Sequence, residues 1–104
     1  MKNYRVVLSQ EAENDLRERL LYLINDKHSP WTAKNVMKDY NDTKIKLSYM
    51  ADALPVPDND KLRLLGLKRM NFSKHDYFML FTIEGDKVII TNIFHAREDF
   101  ENKL

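Results

Sequence analysis

The 104-residue sequence contains no cysteine, only two glycines and three prolines, and its net charge is only +1. Without cysteine the chain has no disulfide, no thiolate metal ligand and no cysteine nucleophile. With 43% hydrophobic and 32% charged residues, the composition is that of a folded globular protein without low-complexity segments. We expect one domain over residues 1–104, because a chain this short cannot support two separate cores.

Long hydrophobic runs are also absent. No run approaches the roughly 20 apolar residues that span a bilayer, and the amino-terminal segment lacks the apolar stretch of a signal peptide. A cytoplasmic protein without membrane contact is therefore expected. Because the net charge is small, the molecule as a whole exerts little long-range attraction on nucleic acid.

The residues that commonly hold metals or phosphates are scattered. His28, His75 and His95 fall in three different predicted elements, without the spacing of a metal site. Gly66 and Gly85 are isolated, so no glycine-rich phosphate loop is present. The sequence thus predicts neither a metal nor a cofactor.

The first half of the chain has the pattern of a strand followed by two helices. Residues 4–8 form a short run rich in β-branched and aromatic residues, and Ser9 is suited to cap the helix that follows. Ser29 and Pro30 form a second helix start, and apolar residues then keep helical spacing until Pro55. Two helices joined by a short turn predict a helical hairpin.

The second half changes to the pattern of strands. Residues 62–72, Tyr77–Glu84 and 87–94 are predicted strands, and Gly85 lies in a tight turn between the last two. The order βααβββ predicts an α+β fold, in which an antiparallel sheet carries the helical hairpin on one face. The opposite face of the sheet is expected to be partly solvated.

Positive charge is concentrated in residues 61–75, which contain five Lys or Arg residues and no acid. Such side chains are candidates for contacts to phosphate or to a macromolecular target. Lys68 and Arg69 are adjacent, so in a strand they point to opposite faces and do not both line one site. The candidates are Lys61, Arg63, Lys68, Arg69 and Lys74.

The last predicted strand ends in a histidine and an arginine, His95 and Arg97. In metal-independent RNA cleavage the ribose 2′-OH is the nucleophile, so the protein supplies an acid, a base and cations. His95, Arg97 and Tyr77 are our candidates for these roles. Each also has a structural alternative. His95 could be a hydrogen-bonded residue at a strand end, Arg97 could form a surface ion pair, and Tyr77 could pack in the core.

Trp31 is expected to be a partly buried anchor of the second helix.

Four segments together resemble the RelE/ParE superfamily of toxins from bacterial type II toxin–antitoxin systems, and they cover nearly the whole chain. They are YRVVLSQEAENDLRERLLYL, SPWTAKN, LRLLGLKRMNF and YFMLFTIEGDKVIITNIFHARED. The resemblance implies a toxin that causes growth arrest, serves plasmid stabilization and is neutralised by a cognate antitoxin. Contact with operator DNA is expected only through the antitoxin, and a homodimer is possible.

The superfamily divides by target. RelE-like members are mRNA interferases that cleave mRNA on the ribosome, whereas ParE-like members inhibit DNA gyrase without a hydrolytic site. RelE-like nucleases usually carry a basic residue where this chain has Phe78. That difference favours the gyrase inhibitor, and a ribosome-dependent endoribonuclease or an attenuated toxin that only binds its antitoxin stay open as alternatives.

Overall fold

The computed structural model describes residues 3–104, which fold into a four-stranded sheet and three α-helices. This confirms the predicted α+β class. A short 3-10 helix, Ala51–Ala53, follows the second α-helix, and another, Phe100–Lys103, lies near the carboxyl end. The remaining elements are β1 (Arg5–Leu8), α1 (Gln10–Asn25), α2 (Pro30–Met50), α3 (Asp60–Leu65), β2 (Lys68–Asn71), β3 (Tyr77–Glu84) and β4 (Lys87–His95).

Both predicted helix caps are present. The Ser9 hydroxyl accepts the backbone N–H of Ala12 at 3.1 Å, and the Ser29 hydroxyl accepts that of Thr32 at 3.3 Å. These bonds satisfy amide groups that the first turn of a helix leaves unpaired. The helical hairpin therefore begins and turns where local sequence chemistry predicts.

The sheet is mixed rather than wholly antiparallel, in the order β1-β4-β3-β2. β2, β3 and β4 are antiparallel to their neighbours, but β1 runs parallel to β4. The prediction of a fully antiparallel sheet is therefore wrong at β1. No tight turn joins β1 to β4, and the helices between them supply the long connection that parallel pairing requires.

The predicted strand over residues 62–72 is only half correct. Its first part is α3, which begins at the cap Asn59, whose side-chain oxygen accepts the N–H of Leu62 at 3.0 Å. The helix ends at Gly66, which has a φ of 70°, a left-handed conformation that glycine adopts without steric cost. Lys61 and Arg63 consequently lie on a helix, and only Lys68 and Arg69 lie on a strand.

Each face of the sheet carries its own hydrophobic cluster. The α1–α2 hairpin covers one face, and α3 with the carboxyl-terminal 3-10 helix covers part of the other. Val7, Thr82 and Ile89, also on the second face, are half-buried, so that face is covered in part. The second cluster consists of Leu62, Leu67, Phe78, Leu80 and Phe94, packed against Phe100 and Leu104.

A buried carboxylate fastens the β2–β3 turn to α2. Asp39 is 2% exposed and accepts the backbone N–H groups of Ser73, Lys74 and His75 at 3.2, 2.9 and 2.8 Å. Nδ1 of the His75 ring lies 2.8 Å from the same carboxylate. The turn leads directly into Tyr77, so Asp39 helps to fix where β3 begins.

The fully buried ring of Phe78 leads to a first prediction. Phe78→Ala is expected to lower the free energy of unfolding by about 3–5 kcal/mol, and Phe78→Lys by at least as much, because the variant also buries a charge. Urea denaturation measures both. Leu64→Ala, at a side chain that is 87% exposed, is the control and should stay within about 0.5 kcal/mol. A tolerated Phe78→Lys would contradict the assignment of this ring to the core.

Asp39 leads to a second prediction. Burial raises the pKa of its carboxyl, but hydrogen bonds from the His75 ring and two turn amides outweigh burial and hold the pKa below 3.8. The carboxylate therefore stabilises the fold above pH 3.8, and this contribution is lost as the pH falls through the folded-state pKa. Asp39→Asn should cost about 1–3 kcal/mol at neutral pH.

The expected cost of Asp39→Asn shrinks below pH 3.8, which unfolding curves over a pH series measure. Asp52→Asn, at an exposed acid in the short 3-10 helix after α2, is the matched control and should show no such trend. A cost for Asp39→Asn that does not change with acidification would contradict the role of the ionised carboxylate.

Candidate functional site

A cleft of about 480 Å³ lies between α1 and the ends of β3 and β4. We call it the α1 cleft. One wall is the polar face of α1, and the other is formed by the paired start of β3 and end of β4 with the residues that follow. Its lining residues are Glu11, Asp15, Glu18, Arg19, Tyr22, Tyr77, Ile93, Phe94, His95, Glu98 and Lys103.

A β-bulge in β4 places His95 in this cleft. Leu80 pairs with Asn92 but the next residue, Phe81, pairs with Ile90, so Thr91 is an extra residue in β4. A bulge of this kind reverses the side-chain alternation of the strand beyond it. The end of β4 consequently turns His95 toward α1, opposite Tyr77.

His95 and Tyr77 are in direct contact. Their ring centroids are 5.1 Å apart and the ring planes are perpendicular. The backbone N–H of Arg97 donates to Nδ1 of His95 at 3.1 Å, so the proton of the neutral ring is carried by Nε2. Burial raises the pKa of the Tyr77 hydroxyl, which therefore stays protonated at neutral pH.

Glu98 connects the two walls of the cleft. One of its oxygens accepts the backbone N–H of His95 at 2.9 Å and lies 3.3 Å from the Arg19 guanidinium, and the other lies 2.5 Å from the Lys103 ammonium. Burial raises the pKa of this carboxyl, but the bonds from Lys103 and His95 and the charges of Lys103 and Arg19 outweigh it and lower the pKa overall. Glu98 therefore remains ionised.

The pKa of Asp15 is shifted in the opposite direction, upward. Its carboxylate accepts the backbone N–H of Ile93 at 3.0 Å. Burial, reinforced by the nearby charges of Glu11, Glu18 and Glu98, nevertheless raises its pKa. This side of the cleft is therefore short of positive charge.

The charge of the whole cleft is unfavourable for a phosphate. Four carboxylates line it, and its two cations, Arg19 and Lys103, both pair with Glu98. A polyanion that entered would meet net negative charge. Over residues 3–104, no three His, Asp or Glu side chains are grouped so that they could hold a metal ion.

Most residues predicted for the site lie elsewhere. The Arg97 side chain is exposed and does not line the cleft. Lys68 donates to the Leu54 carbonyl at 2.8 Å, while the Arg69 guanidinium lies 3.8 Å from the Phe78 ring centroid, so the two point to opposite faces as predicted. Lys61 and Arg63 are on α3 and Lys74 is in the β2–β3 turn. The cleft brings together only His95 and Tyr77.

Arg19, Glu98 and Asp15 line the cleft but were not predicted from the sequence. Asp15 and Arg19 lie on the polar side of an amphipathic helix, where the sequence pattern alone indicates solvent exposure. Glu98 follows the last strand and pairs with Arg19 and Lys103. The charged residues that directly follow the last strand were the sequence signal that could have indicated this wall of the cleft.

The sequence matches no known family model and no curated protein. Its fold, in contrast, is similar to that of a solved chain described as "Chromosomal ParDE TA system from P. aeruginosa", a toxin–antitoxin system. The TM-score is 0.71 at 14% sequence identity, and the match covers 90% of this chain and 97% of that chain. The chain has a ParE-like fold. None of the helices in residues 3–104 combines the length and the apolar character needed to cross a membrane.

The raised pKa of Asp15 leads to a third prediction. Because the folded state raises the pKa of Asp15, the contribution of this carboxyl to the free energy of unfolding is fully present below pH 3.8. That contribution is lost as the pH rises through the folded-state pKa. Asp15→Asn keeps an oxygen for the Ile93 amide and removes the charge. The variant should be more stable at neutral pH by up to about 1 kcal/mol, and this gain should vanish below pH 3.8.

Thermal or urea unfolding at neutral and acidic pH measures the effect of Asp15→Asn. Glu11→Gln removes a charge from the exposed rim of the same cleft and should change stability by less than about 0.5 kcal/mol. A loss of stability for Asp15→Asn at neutral pH would show that the ionised carboxylate is favourable where it lies.

Proposed function

We propose that this protein is the toxin of a type II toxin–antitoxin pair and that it inhibits DNA gyrase by binding, as ParE-like toxins do. The observation that carries the proposal is the ParE-like fold, which matches a chain of a ParDE system over 90% of the present chain. Its expected partner is a cognate antitoxin, and its expected compartment is the cytoplasm.

The charge of the α1 cleft favours binding over RNA cleavage. Cleavage by 2′-OH attack develops negative charge on a phosphorane, which cations in the site must stabilise. Here both cations of the cleft, Arg19 and Lys103, pair with Glu98. Three further acids, Glu11, Asp15 and Glu18 on α1, line the same cleft. Phe78, the position that is usually basic in RelE-like nucleases, is fully buried.

A second candidate function is ribosome-dependent mRNA cleavage, favoured by the contact between His95 and Tyr77. In that mechanism the Nε2–H of His95 is the candidate acid, because Nδ1 already accepts the Arg97 amide. Tyr77 donates or stacks, and Arg97 contacts phosphate. An attenuated toxin that retains only antitoxin binding is the third candidate. For gyrase or for the ribosome with mRNA, our proposed target contacts are Lys61, Arg63, Lys74 and one of the pair Lys68 and Arg69, which point to opposite faces of the sheet.

Induced expression in a bacterial host, with DNA damage and mRNA integrity measured together, separates these functions and is our fourth prediction. We expect growth arrest with DNA breaks and an SOS-type response, while mRNA stays intact. His95→Ala should leave the DNA damage in place, because the proposed mechanism needs no acid or base. Purified gyrase should lose supercoiling activity when the protein is added.

Codon-positioned mRNA cuts that disappear in His95→Ala and Arg97→Ala would replace the proposed function with the nuclease. Normal growth at a high level of folded protein would point to an attenuated toxin. Asp86→Asn, an exposed change in the β3–β4 turn at a residue that does not line the cleft, serves as the expression-matched control in all readouts.

A further inference from the structure

The outer side of α2 exposes large apolar side chains that no part of residues 3–104 covers. Trp31 is 69% exposed, Ile45 is 62% exposed and Tyr49 is 37% exposed. The prediction that Trp31 is a partly buried anchor is therefore wrong. Monomers commonly expose single apolar residues, but here three large ones lie along one side of one helix, Trp31 near its start and Ile45 and Tyr49 near its end, which indicates an interaction site.

These residues share one stripe of the helix, which we call the α2 stripe. Trp31, Lys38 and Ile45 recur every seven residues, and Asp42 and Tyr49 follow along the same side. The buried residues of α2, such as Val36, Tyr40 and Leu47, lie on the side that packs on the sheet. Within residues 3–104 neither Lys38 nor Asp42 forms an ion pair.

We propose that the α2 stripe is the interface of a homodimer, in which α2 packs antiparallel against α2 of a second copy. A two-fold axis that crosses the helix between residues 38 and 42 places Trp31 against Ile45 and Tyr49 of the second copy. The same axis places Lys38 against Asp42. The symmetry repeats every contact, so the apolar residues are covered twice and two ion pairs form.

Charge complementarity selects a second copy over other occupants. Because Lys38 and Asp42 lie one helical turn apart, antiparallel pairing satisfies both signs at once. A nucleic acid would meet Asp42 with its phosphates and would leave Ile45 exposed. A uniformly acidic partner helix would be repelled by the same aspartate.

The interface is expected to be small. A helix of 21 residues is about 30 Å long, and one such helix pair buries less than the standard interface of about 1,600 Å². The dimer should therefore be weak and reversible, and it should be populated mainly at high protein concentration. The α1 cleft has no lining residue from α2, so the inference is independent of the proposed function.

Trp31 is the only tryptophan in the sequence, and this makes the fifth prediction direct to measure. Sedimentation equilibrium over a series from about 1 μM to 1 mM should show a monomer–dimer equilibrium. Tryptophan emission should shift to shorter wavelength, and acrylamide quenching should fall, with the same midpoint. A monomer at the highest concentration, or a dimer in which Trp31 stays accessible, would overturn the proposal.

A charge-swap series tests the geometry. Lys38→Asp and Asp42→Lys each turn both ion pairs into repulsions, so each alone should weaken the dimer about ten-fold or more. An equimolar mixture of the two variants should form a heterodimer at nearly the wild-type affinity, since each Asp at one chain's position 38 then faces a Lys in the other chain.

The matched controls are Arg97→Asp and Asp86→Lys, which reverse exposed charges outside α2 and should leave the Kd unchanged. Circular dichroism establishes that all four variants fold. Equal weakening by the controls, or no recovery in the mixture, would overturn the antiparallel pairing. A chain that stays monomeric while Lys38→Asp weakens binding to an oligonucleotide or to the antitoxin would assign the stripe to that partner and overturn the dimer.

Discussion

The single extra residue in β4 decides which side chains reach each face of the sheet beyond it. On the amino-terminal side of Thr91, the side chains of Val88 and Ile90 face the helical hairpin. On its carboxyl-terminal side, Ile93 and His95 face the hairpin, and Phe94 joins the opposite cluster. Thr91 is held in place by the Ser9 hydroxyl, which donates to its carbonyl at 3.0 Å while also capping α1. The start of α1 and the bulge are therefore one structural unit. Without that bulge, the cleft would contain the Phe94 ring in place of His95.

Features that depend on neighbouring residues could be predicted from the sequence, and features that depend on register could not. Ser9 and Ser29 start helices through local hydrogen bonds, and the β3–β4 turn depends on Gly85, which has a φ of 61°. Counted from that turn, regular pairing would place Tyr77 opposite Phe94. The bulge shifts the partner to His95, and no local preference reveals such a shift.

The missed helix α3 has a different cause. Six residues are too few for helical periodicity to emerge, and the leucines of LRLLGL suit a buried strand equally well. The deciding signals were the cap Asn59 and the left-handed Gly66 at its two ends. The difference matters for function, because Arg63 lies on a helix on the second face of the sheet instead of on a strand, and Lys61 lies on the same helix.

The carboxyl-terminal residues contact both faces of the sheet. Glu98 holds the His95 backbone and Arg19 on the cleft side, while Phe100 packs edge-on against Phe78 on the other face, with ring centroids 5.4 Å apart. Between these positions and the chain end, Glu101 accepts hydrogen bonds from Lys61 and Asn59 of the α3 region. The basic residues of α3 therefore do not line the cleft, yet they are connected to it through three residues of backbone. The carboxyl-terminal segment from Glu98 to Glu101 therefore contacts both the α1 cleft and the α3 region.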